Sequence, residues 1–355
     1  MISGSANPAK SWPAEHLEKV PACPVCGSSE RDLLHGQMPD RVFGIAPGEW
    51  DLYECRRCGS AWLDPRPDPE SLPLAYEGYF THEEIRDRVI VRRRGVVRRW
   101  LHDGLNGYMN HRYGTRRLPA SAGGRWMAWL FPPLRAAADA TCRHLPRPPD
   151  DGGRLLDVGC GNGAFLRLAS EMGWNAEGLD FDPDAVRRAR EAGLTAREGG
   201  IGRLAGESSR YDVITMSHVI EHVDDPLDLL RVLHGLLRPG GMLWLETPNL
   251  GSLGYRLYGR NWRDLDPPRH LTLFNAASLV QAMTSVGFVD LRQHWNGLVS
   301  FEVLRTSRAL RDEAKLERPG SVKRHVAAET LAEFWEWCRP ARREFLTVTA
   351  RKPHG

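Results

Sequence analysis

The 355-residue sequence lacks a hydrophobic run long enough to cross a membrane and lacks a strong excess of charge of one sign. Its most apolar stretch, "WMAWLFPPLRAAADA", is interrupted by Pro132 and Pro133, and the first 20 residues contain no continuous apolar core. The formal net charge of +3 is too small to indicate nucleic acid as a partner. These absences predict a protein without a membrane span or secretory signal, located in the cytoplasm, where disulfides are rare.

The composition is that of an ordinary globular protein, with 41% hydrophobic and 26% charged residues. No internal repeat or low-complexity tract is visible. The chain is long enough to bury a full core in one large domain and to carry a second, smaller one.

Four of the seven cysteines form two C-x2-C pairs, Cys23 with Cys26 and Cys55 with Cys58, and a glycine follows each pair. This spacing is typical of a zinc ribbon, in which two tight turns present four thiolates to one metal ion. A redox C-x-x-C site is the alternative, but it needs only one pair. Four protein ligands leave no open position on the metal, so the pattern predicts a structural Zn²⁺ in a ribbon spanning 20–63.

Two Pro-rich or Gly-rich breaks divide the rest of the chain. Residues 151–355 are predicted to form the main domain. Residues 64–147 are predicted to form a linker and a helical region rich in arginine and aromatic residues. Within residues 64–147, the segment 86–117 contains ten arginines and two aspartates. Such a run is most often a solvated helix face, although arginine without lysine also suits phosphate recognition.

Apolar strand patterns alternate with amphipathic helix patterns throughout the main domain. Asp182 followed by Pro183 predicts a helix start, and Asn275 predicts another. Regular alternation of strands and helices is typical of an α/β fold with a doubly wound sheet, whose ligands bind at the carboxyl ends of the strands. The predicted strands are "RLLDV", "AEGLD", "YDVITMS", "MLWLE", "FVDLRQHW" and "EFLTVTARK".

The stretch "LLDVGCGNGAF" contains a glycine-rich turn between the first strand and the first helix of this domain. Gly159, Gly161 and Ala164 fit the G-x-G-x-x-G/A pattern of dinucleotide sites. Asp157 together with Gly159, Gly161 and Gly163 forms a D-x-G-x-G-x-G pattern instead. The turn by itself does not distinguish between the two cofactors.

The motifs that follow in order resolve this choice: "GLDFDP", "YDVITMSHVIEHVDDP", "LRPGGMLWLETPN" and "PPRHLTLF". With the glycine-rich turn, they resemble the class I S-adenosylmethionine-dependent methyltransferases over about 151–350. The resemblance implies a Rossmann-like, seven-stranded sheet whose last strand is inserted antiparallel. It also implies S-adenosylmethionine as the cofactor.

The resemblance further implies which residues hold that cofactor. The glycines let the backbone approach its methionine portion closely, Asp157 would hold the α-ammonium side, and Asp180 would accept both ribose hydroxyls. Asp182 is interpreted as a helix cap only. The full set of predicted cofactor-binding residues is Asp157, Gly159, Gly161, Gly163, Asp180, Phe181, Ile201 and His218.

Four residues are candidates for removing a proton from the acceptor: His270, Glu221, His222 and His218, of which His218 is expected to lie at the cofactor edge. His270 follows two prolines and precedes a helix beside the expected acceptor pocket, and an unperturbed imidazole suits general-base work at neutral pH. The alternative is that His270 holds its own segment in place. Glu221 and His222 could equally be hydrogen-bonded residues that fix the loop after the strand "YDVITMS".

The aromatic and arginine-rich segment before His270 supplies candidate acceptor contacts. Aromatic rings can stack on a sugar or another ring, and arginine can pair with phosphate or carboxylate. The alternative is an ordinary lid whose aromatic residues are core. The predicted substrate-binding residues are Tyr76, Tyr79, Tyr255, Tyr258, Trp262 and Arg269.

A four-cysteine ribbon before a methyltransferase domain is similar to the arrangement in sugar-nucleotide C-methyltransferases. Those enzymes have a Glu-His pair where this chain has Arg269 and His270, so the chain is closer to a broader ribbon-bearing group that acts on glycans and small molecules. We therefore expect O-methylation of a saccharide, sugar nucleotide or similar acceptor, which could be phosphorylated. C-methylation of a keto-sugar nucleotide and a nucleic-acid-binding role for the ribbon and the arginines are the alternatives.

Overall fold

The computed structural model describes residues 11–76, 95–204, 206–297, 300–313 and 338–354. Tyr79 and the part of the arginine-rich run before residue 95 lie outside the described residues.

A seven-stranded mixed sheet forms the centre of the molecule. Its strands are β6 (Arg154–Val158), β7 (Asn175–Asp180), β8 (Thr195–Glu198), β9 (Tyr211–Ser217), β10 (Leu237–Pro248), β12 (Val289–His294) and β13 (Phe345–Arg351). They lie in the order β12-β13-β10-β9-β6-β7-β8. Strand β13 is antiparallel to both of its neighbours, whereas the pairs from β10 to β8 are parallel. The predicted seven-stranded, doubly wound sheet with an antiparallel last strand is confirmed.

Helices cover this sheet, and several begin at capping residues that can be recognised in the sequence. Asp182 caps α5 by accepting the amide of Asp184, and Asn275 forms a capping box with Ser278 at the start of α8. The helices are α4 (Ala164–Glu171), α5 (Pro183–Glu191), α6 (Pro226–Leu236), α7 (Leu253–Tyr258), α8 (Ala276–Ser285) and α9 (Ser300–Arg311). Across the described part of the chain, we find no helix that combines the length and apolar character needed to cross a bilayer.

Three more helices precede the sheet: α1 (Val96–Tyr113), α2 (Gly124–Leu130) and α3 (Pro132–Thr141). Buried residues of α1 and α3 pack with Leu155 of β6 and Trp174 before β7 in one hydrophobic cluster. Helices α1 and α3 therefore form part of the layer that covers the sheet.

The N-terminal segment forms small antiparallel sheets. Strands β2 (Arg31–Met38), β3 (Trp50–Cys55) and β4 (Ala61–Leu63) pair in sequence, and β1 (Leu17–Glu18) pairs with β5 (Arg66–Pro67). Strand β11 (Thr272–Leu273), from the α/β part of the chain, extends the first sheet along β4. The ribbon and the large domain thus share a sheet, which brings the ribbon against the segment that contains His270.

Candidate active site

A cavity of about 770 Å³ opens at the carboxyl ends of β6, β7 and β9. This is where a doubly wound sheet is expected to bind its ligands. Ten residues predicted from the sequence line it: Tyr76, Gly159, Gly161, Asp180, Phe181, Ile201, His218, His222, Arg269 and His270.

The glycine-rich turn after β6 forms one wall of this cavity. Gly159 has a positive φ of 72°, and a Cβ added there would lie 2.4 Å from a methyl group of Val219. Gly163, with φ of 84°, is the N-cap of α4. Only glycine fits at Gly159 without displacing the chain that follows β9, so the backbone itself lines this wall.

Asp180, at the end of β7, is held with both carboxylate oxygens in fixed positions. One oxygen accepts the amide of Gly161 at 2.7 Å, and the other accepts the amide of Asp182 at 3.0 Å. Burial raises the pKa of Asp180, and these backbone donors oppose that change. Beside it, the ring of Phe181 is 64% exposed although it borders the cavity. A rigid carboxylate next to an exposed ring suits a nucleoside.

Asp157 lies behind the glycine-rich turn and does not line the cavity itself. One of its oxygens accepts hydrogen bonds from Arg143 and from Thr215 Oγ1, the latter at 2.9 Å. Its other oxygen, Oδ2, is buried without a hydrogen-bond partner among the described residues. Burial raises the pKa of Asp157, and the Arg143 guanidinium counteracts that rise. Arg143 follows α3 and precedes the sheet, so no motif in the sequence pointed to it.

These features fit S-adenosylmethionine. The tight glycine turn, the fixed Asp180 oxygens and the exposed Phe181 ring provide surfaces for the methionine, ribose and adenine portions. The buried, unpartnered Oδ2 of Asp157 lies behind the turn and does not border the cavity, but its charge favours a cationic ammonium group near the turn.

On the opposite side of the cavity, His218 lies between two carboxylates. Its Nδ1 is 3.2 Å from Glu221 Oε1, and its Nε2 is 3.5 Å from Glu246 Oε1. Burial alone would lower the pKa of His218, but the two carboxylates outweigh it and raise the pKa to about 10. Burial likewise raises the pKa of Glu221, yet His218 and the other histidines lower it to about 2. His218 is therefore cationic at neutral pH and cannot act as a base.

His270 has the opposite character. Its Nδ1 lies 2.7 Å from the carbonyl oxygen of Asp264, which can only accept, so Nδ1 carries the proton and Nε2 has a free lone pair. Burial lowers the pKa of His270 to about 4, and the nearby His222 adds to this effect. The imidazole is therefore neutral at pH 7 and presents an acceptor nitrogen.

His222 and Glu221 lie next to His270. The His222 and His270 rings are 4.8 Å apart, and a nitrogen of each lies within 4.8 Å of a Glu221 oxygen. Such a spacing would also suit a metal ion, but Glu221 is engaged by His218 and by the hydroxyl of Thr247 at 2.9 Å. The cluster is a buried hydrogen-bonded group with a carboxylate beside two imidazoles.

Arg269 borders the cavity, but its guanidinium is fully occupied by protein groups. It donates to Asp40 of the ribbon at 2.7 and 3.1 Å, to Asp266 at 2.7 and 3.0 Å, and to the Ala75 carbonyl at 3.0 Å. The predicted contact between Arg269 and an acidic acceptor is therefore not available in this arrangement. Instead, Arg269 joins the ribbon to the loop that carries His270.

The remaining predicted substrate residues divide into two groups. Tyr76 lines the cavity, with its hydroxyl 3.0 Å from His222 Nδ1 and its ring against Phe181. The other three aromatic residues do not line the cavity: Tyr255 and Tyr258 of α7, and Trp262. They belong to a hydrophobic cluster that contains residues of the ribbon and of α9. Sequence reasoning could not separate the two groups because both are aromatic residues near motif segments.

The four thiols of the C-x2-C pairs converge at one point. Cys23 Sγ lies 3.6 Å from Cys58 Sγ, and Cys26 Sγ lies 3.5 Å from Cys55 Sγ. All four sulfurs are within 4.8 Å of one another, and none forms a disulfide. Zinc bound to four sulfurs at about 2.3 Å separates them by about 3.8 Å, so the donor set fits this ion.

The backbone around the thiols is arranged as two similar turns. Gly27 donates to the Cys23 carbonyl and Gly59 to the Cys55 carbonyl, each at 2.9 Å. The Ser60 hydroxyl lies 3.0 Å from Cys58 Sγ. The hydrogen bond between Cys23 and Cys58 lowers the pKa of the Cys58 thiol and raises that of the Cys23 thiol, and the Ser60 hydroxyl lowers both.

The fold and cavity agree with the comparison to protein families. Residues 129–293 match a family described as a methyltransferase domain. This match and the seven-stranded sheet identify this part of the chain as a class I S-adenosylmethionine-dependent methyltransferase domain.

Curated relatives are named ubiquinone biosynthesis O-methyltransferase. The protein from Methylocella silvestris is 30% identical over 167 residues, covering 41% of this chain and 65% of that protein. The protein from Cereibacter sphaeroides is 36% identical over 129 residues, covering 34% and 52%. The chain thus spans about half to two thirds of the length of these relatives.

Solved structures with a similar fold share less sequence with this chain. An S-adenosylmethionine-dependent methyltransferase from Mesorhizobium loti is 22% identical, with a TM-score of 0.42 over 61% of this chain and 98% of that one. Another from Archaeoglobus fulgidus is 20% identical, with a TM-score of 0.44 over 64% and 99%.

Proposed function

We propose that this protein transfers a methyl group from S-adenosylmethionine to a hydroxyl oxygen of a small, ring-shaped acceptor, with His270 as the general base. The observation that carries the proposal is the neutral His270, which borders the same cavity as the glycine-rich turn and Asp180 and whose Nδ1 is held by the Asp264 carbonyl. The names of the curated relatives support oxygen as the acceptor atom.

When bound, S-adenosylmethionine supplies an electrophilic methyl group on a sulfonium. Asp180 and the turn around Gly159 hold the cofactor, and positioning of the reactants contributes much of the rate. His270 Nε2 accepts the proton of the acceptor hydroxyl, while its Nδ1–H stays on the Asp264 carbonyl. The negative charge of Glu221 stabilises the imidazolium that this proton transfer creates.

The acceptor side of the cavity favours an apolar ring over a phosphorylated sugar. Its wall includes Val42 and Phe43 from the ribbon and Leu72 and Pro73 after it. Two arginines line the cavity: Arg269 is bound by two carboxylates, and Arg263 lies 3.4 Å from a carboxylate oxygen of Asp264. His270 is a weak base, because its imidazolium has a low pKa. A weak base removes a proton more readily from a phenol than from an aliphatic alcohol, because the phenol is the stronger acid. We therefore place phenolic acceptors ahead of the saccharides expected from the sequence.

The test is methyl transfer from radiolabelled S-adenosylmethionine to a panel of catechols, other phenols, nucleotide sugars and lipids. We expect a methyl ether of a phenol and an equal amount of S-adenosylhomocysteine. Methylation of a sugar carbon or of nucleic acid, with no ether formed, would contradict the proposal. Calorimetry with S-adenosylhomocysteine and with NAD tests the cofactor site separately, and only the former is expected to bind.

Replacing Asp180 with Asn should weaken S-adenosylhomocysteine binding by at least about tenfold, because the charged acceptor for two hydroxyl donors is lost. Calorimetry measures this change. Asp184→Asn, at an exposed position on α5, is the matched control and should leave the affinity unchanged. Equal affinity of wild type and Asp180→Asn would remove Asp180 from the cofactor site.

We also propose that Cys23, Cys26, Cys55 and Cys58 bind one structural Zn²⁺, on the basis of their sulfur–sulfur distances. Protein purified from zinc-supplemented medium should contain one zinc ion per chain by elemental analysis. Cys26→Ser should reduce this content, whereas Cys338→Ser, at an exposed position, should not. Full-length protein that is folded and free of zinc would contradict the assignment.

A further inference from the structure

A group of large apolar side chains is exposed along one edge of the helical pair α1 and α2. Trp100 is 52% exposed, Trp126 65%, Trp129 74% and Leu130 73%. Isolated exposed apolar residues are common, but several on adjacent helix turns mark an interaction surface. We call this surface the tryptophan face; it consists of Val96, Val97, Trp100, Trp126, Trp129, Leu130 and Phe131.

The tryptophan face lies on a closely packed support. The rings of Trp100 and Phe131 are 6.4 Å apart in an edge-on arrangement, which joins α1 to the start of α3. The α1 and α2 backbones nearly touch, because a Cβ on Gly124 would lie 2.0 Å from the Gly104 carbonyl oxygen. The surface is therefore formed by the fold and does not require a rearrangement to appear.

The chain around this face is strongly basic. Residues 95–138 contain seven arginines and a single carboxylate, Asp103, which lies 3.0 Å from His102. Arg98 and Arg99 are exposed on the first turn of α1. The Arg135 guanidinium lies 5.9 Å from the centre of the Trp129 ring. Exposed arginines thus accompany the tryptophans, whereas Asp139, the next carboxylate along α3, accepts hydrogen bonds from the hydroxyls of Tyr108 and Tyr113.

The combination of exposed tryptophans and arginines favours an anionic bilayer over a second copy of the chain as the partner of this face. In a symmetric dimer through this face, the arginines of one copy would approach those of the second, which like-charge repulsion opposes. An anionic bilayer surface accepts both components, because tryptophan partitions into the interface and arginine is attracted to lipid phosphates. We propose that the tryptophan face docks this protein on the surface of an anionic lipid bilayer.

This docking is peripheral, because the apolar side chains come from the edge of a helical pair and not from a spanning helix. It does not depend on the methyl-transfer reaction proposed above. The two proposals can therefore fail separately: vesicle binding needs no acceptor or cofactor, and cofactor binding needs no lipid.

The test is flotation of the full-length protein with vesicles of phosphatidylcholine alone or of phosphatidylcholine mixed with phosphatidylglycerol. We expect flotation with the mixed vesicles only, and weaker binding as salt concentration rises. Trp129→Ser combined with Leu130→Ser should lower the partition coefficient by at least about tenfold, because two apolar side chains lose their burial in the interface. Arg98→Glu combined with Arg99→Glu should have a similar effect through charge.

Matched control variants change the same residue types elsewhere on the surface. Leu257→Ser with Val280→Ser replaces exposed apolar residues outside the face, and Arg187→Glu with Arg231→Glu makes the same change in net charge. Both should float as the wild type does. Calorimetry with S-adenosylhomocysteine shows whether each variant is folded.

Two results would overturn the proposal. One is an absence of flotation with anionic vesicles, or equal losses in the face variants and their controls. The other is a wild-type protein that binds no vesicles and elutes as a dimer in size-exclusion chromatography, while the double variant Trp129→Ser, Leu130→Ser elutes as a monomer. That second result would assign the face to a second copy of the chain.

Discussion

Replacement of His270 with Gln is expected to lower kcat by about 10²–10⁴-fold and to leave the affinity for S-adenosylhomocysteine unchanged. Glutamine can still donate a hydrogen bond to the Asp264 carbonyl, so the loop should keep its shape. It cannot accept a proton, however, and the acceptor hydroxyl would lose its base. Steady-state kinetics with the acceptor identified in the methyl-transfer panel measure kcat. Calorimetry with S-adenosylhomocysteine measures the affinity.

The pH dependence of the wild type provides a second readout. Because burial lowers the pKa of His270 to about 4, the neutral imidazole is present throughout the neutral range. Activity should therefore decline toward pH 4 and not around the ordinary imidazole pKa of about 6.5. His234→Gln, the same change on α6 outside the cavity, is the matched control. Wild-type turnover in His270→Gln would show that His270 only holds its segment in place.

The second large effect concerns stability. Replacement of Arg269 with Met should lower the free energy of unfolding by about 3–5 kcal/mol, because Asp40 and Asp266 would remain buried without their cation. Urea unfolding measures this loss. Arg187→Met, on an exposed arginine that pairs with Asp184 and Glu191, should change the free energy of unfolding far less, because solvent screens exposed ion pairs.

A double variant tests the physical reason for this loss. Arg269→Met combined with Asp40→Asn should recover part of the stability, because one unpaired charge is removed. The pH dependence has a defined sign as well. Burial raises the pKa of Asp40, but Arg269 lowers it by more, so the net change is a lowered pKa. The ion pair therefore stabilises the fold at pH values above the unfolded carboxyl pKa of about 3.9. The difference between wild type and Arg269→Met should therefore narrow as the pH falls below about 4.

Local patterns in the sequence were sufficient for much of the fold. The strands Arg154–Val158 and Tyr211–Ser217 agree with the predicted strands, and Asp182 and Asn275 cap helices as expected. Such features depend on neighbouring residues, whose periodicity and side-chain chemistry can be read directly. The strand Thr195–Glu198 was not predicted, because its short polar sequence carries no strand pattern.

The candidate site was predictable only in part. The glycine-rich turn and Asp180 line the cavity because they follow strands whose carboxyl ends meet at one edge of the sheet. The roles of Arg143 and Arg269 depend on contacts with Asp157 and Asp40, which are distant in sequence. No local pattern records those partners, and Arg269 was interpreted as a substrate contact for that reason.

The α/β class, the cofactor motifs and the paired cysteines can be read from the amino-acid sequence, because each is encoded by spacing along a short stretch of chain. The packed structure was needed to show that Arg269 is bound by two carboxylates, that His270 is neutral, and that the ribbon shares a sheet with the large domain. Charge state, burial and strand pairing depend on which distant residues pack together, and no short stretch of sequence contains that information.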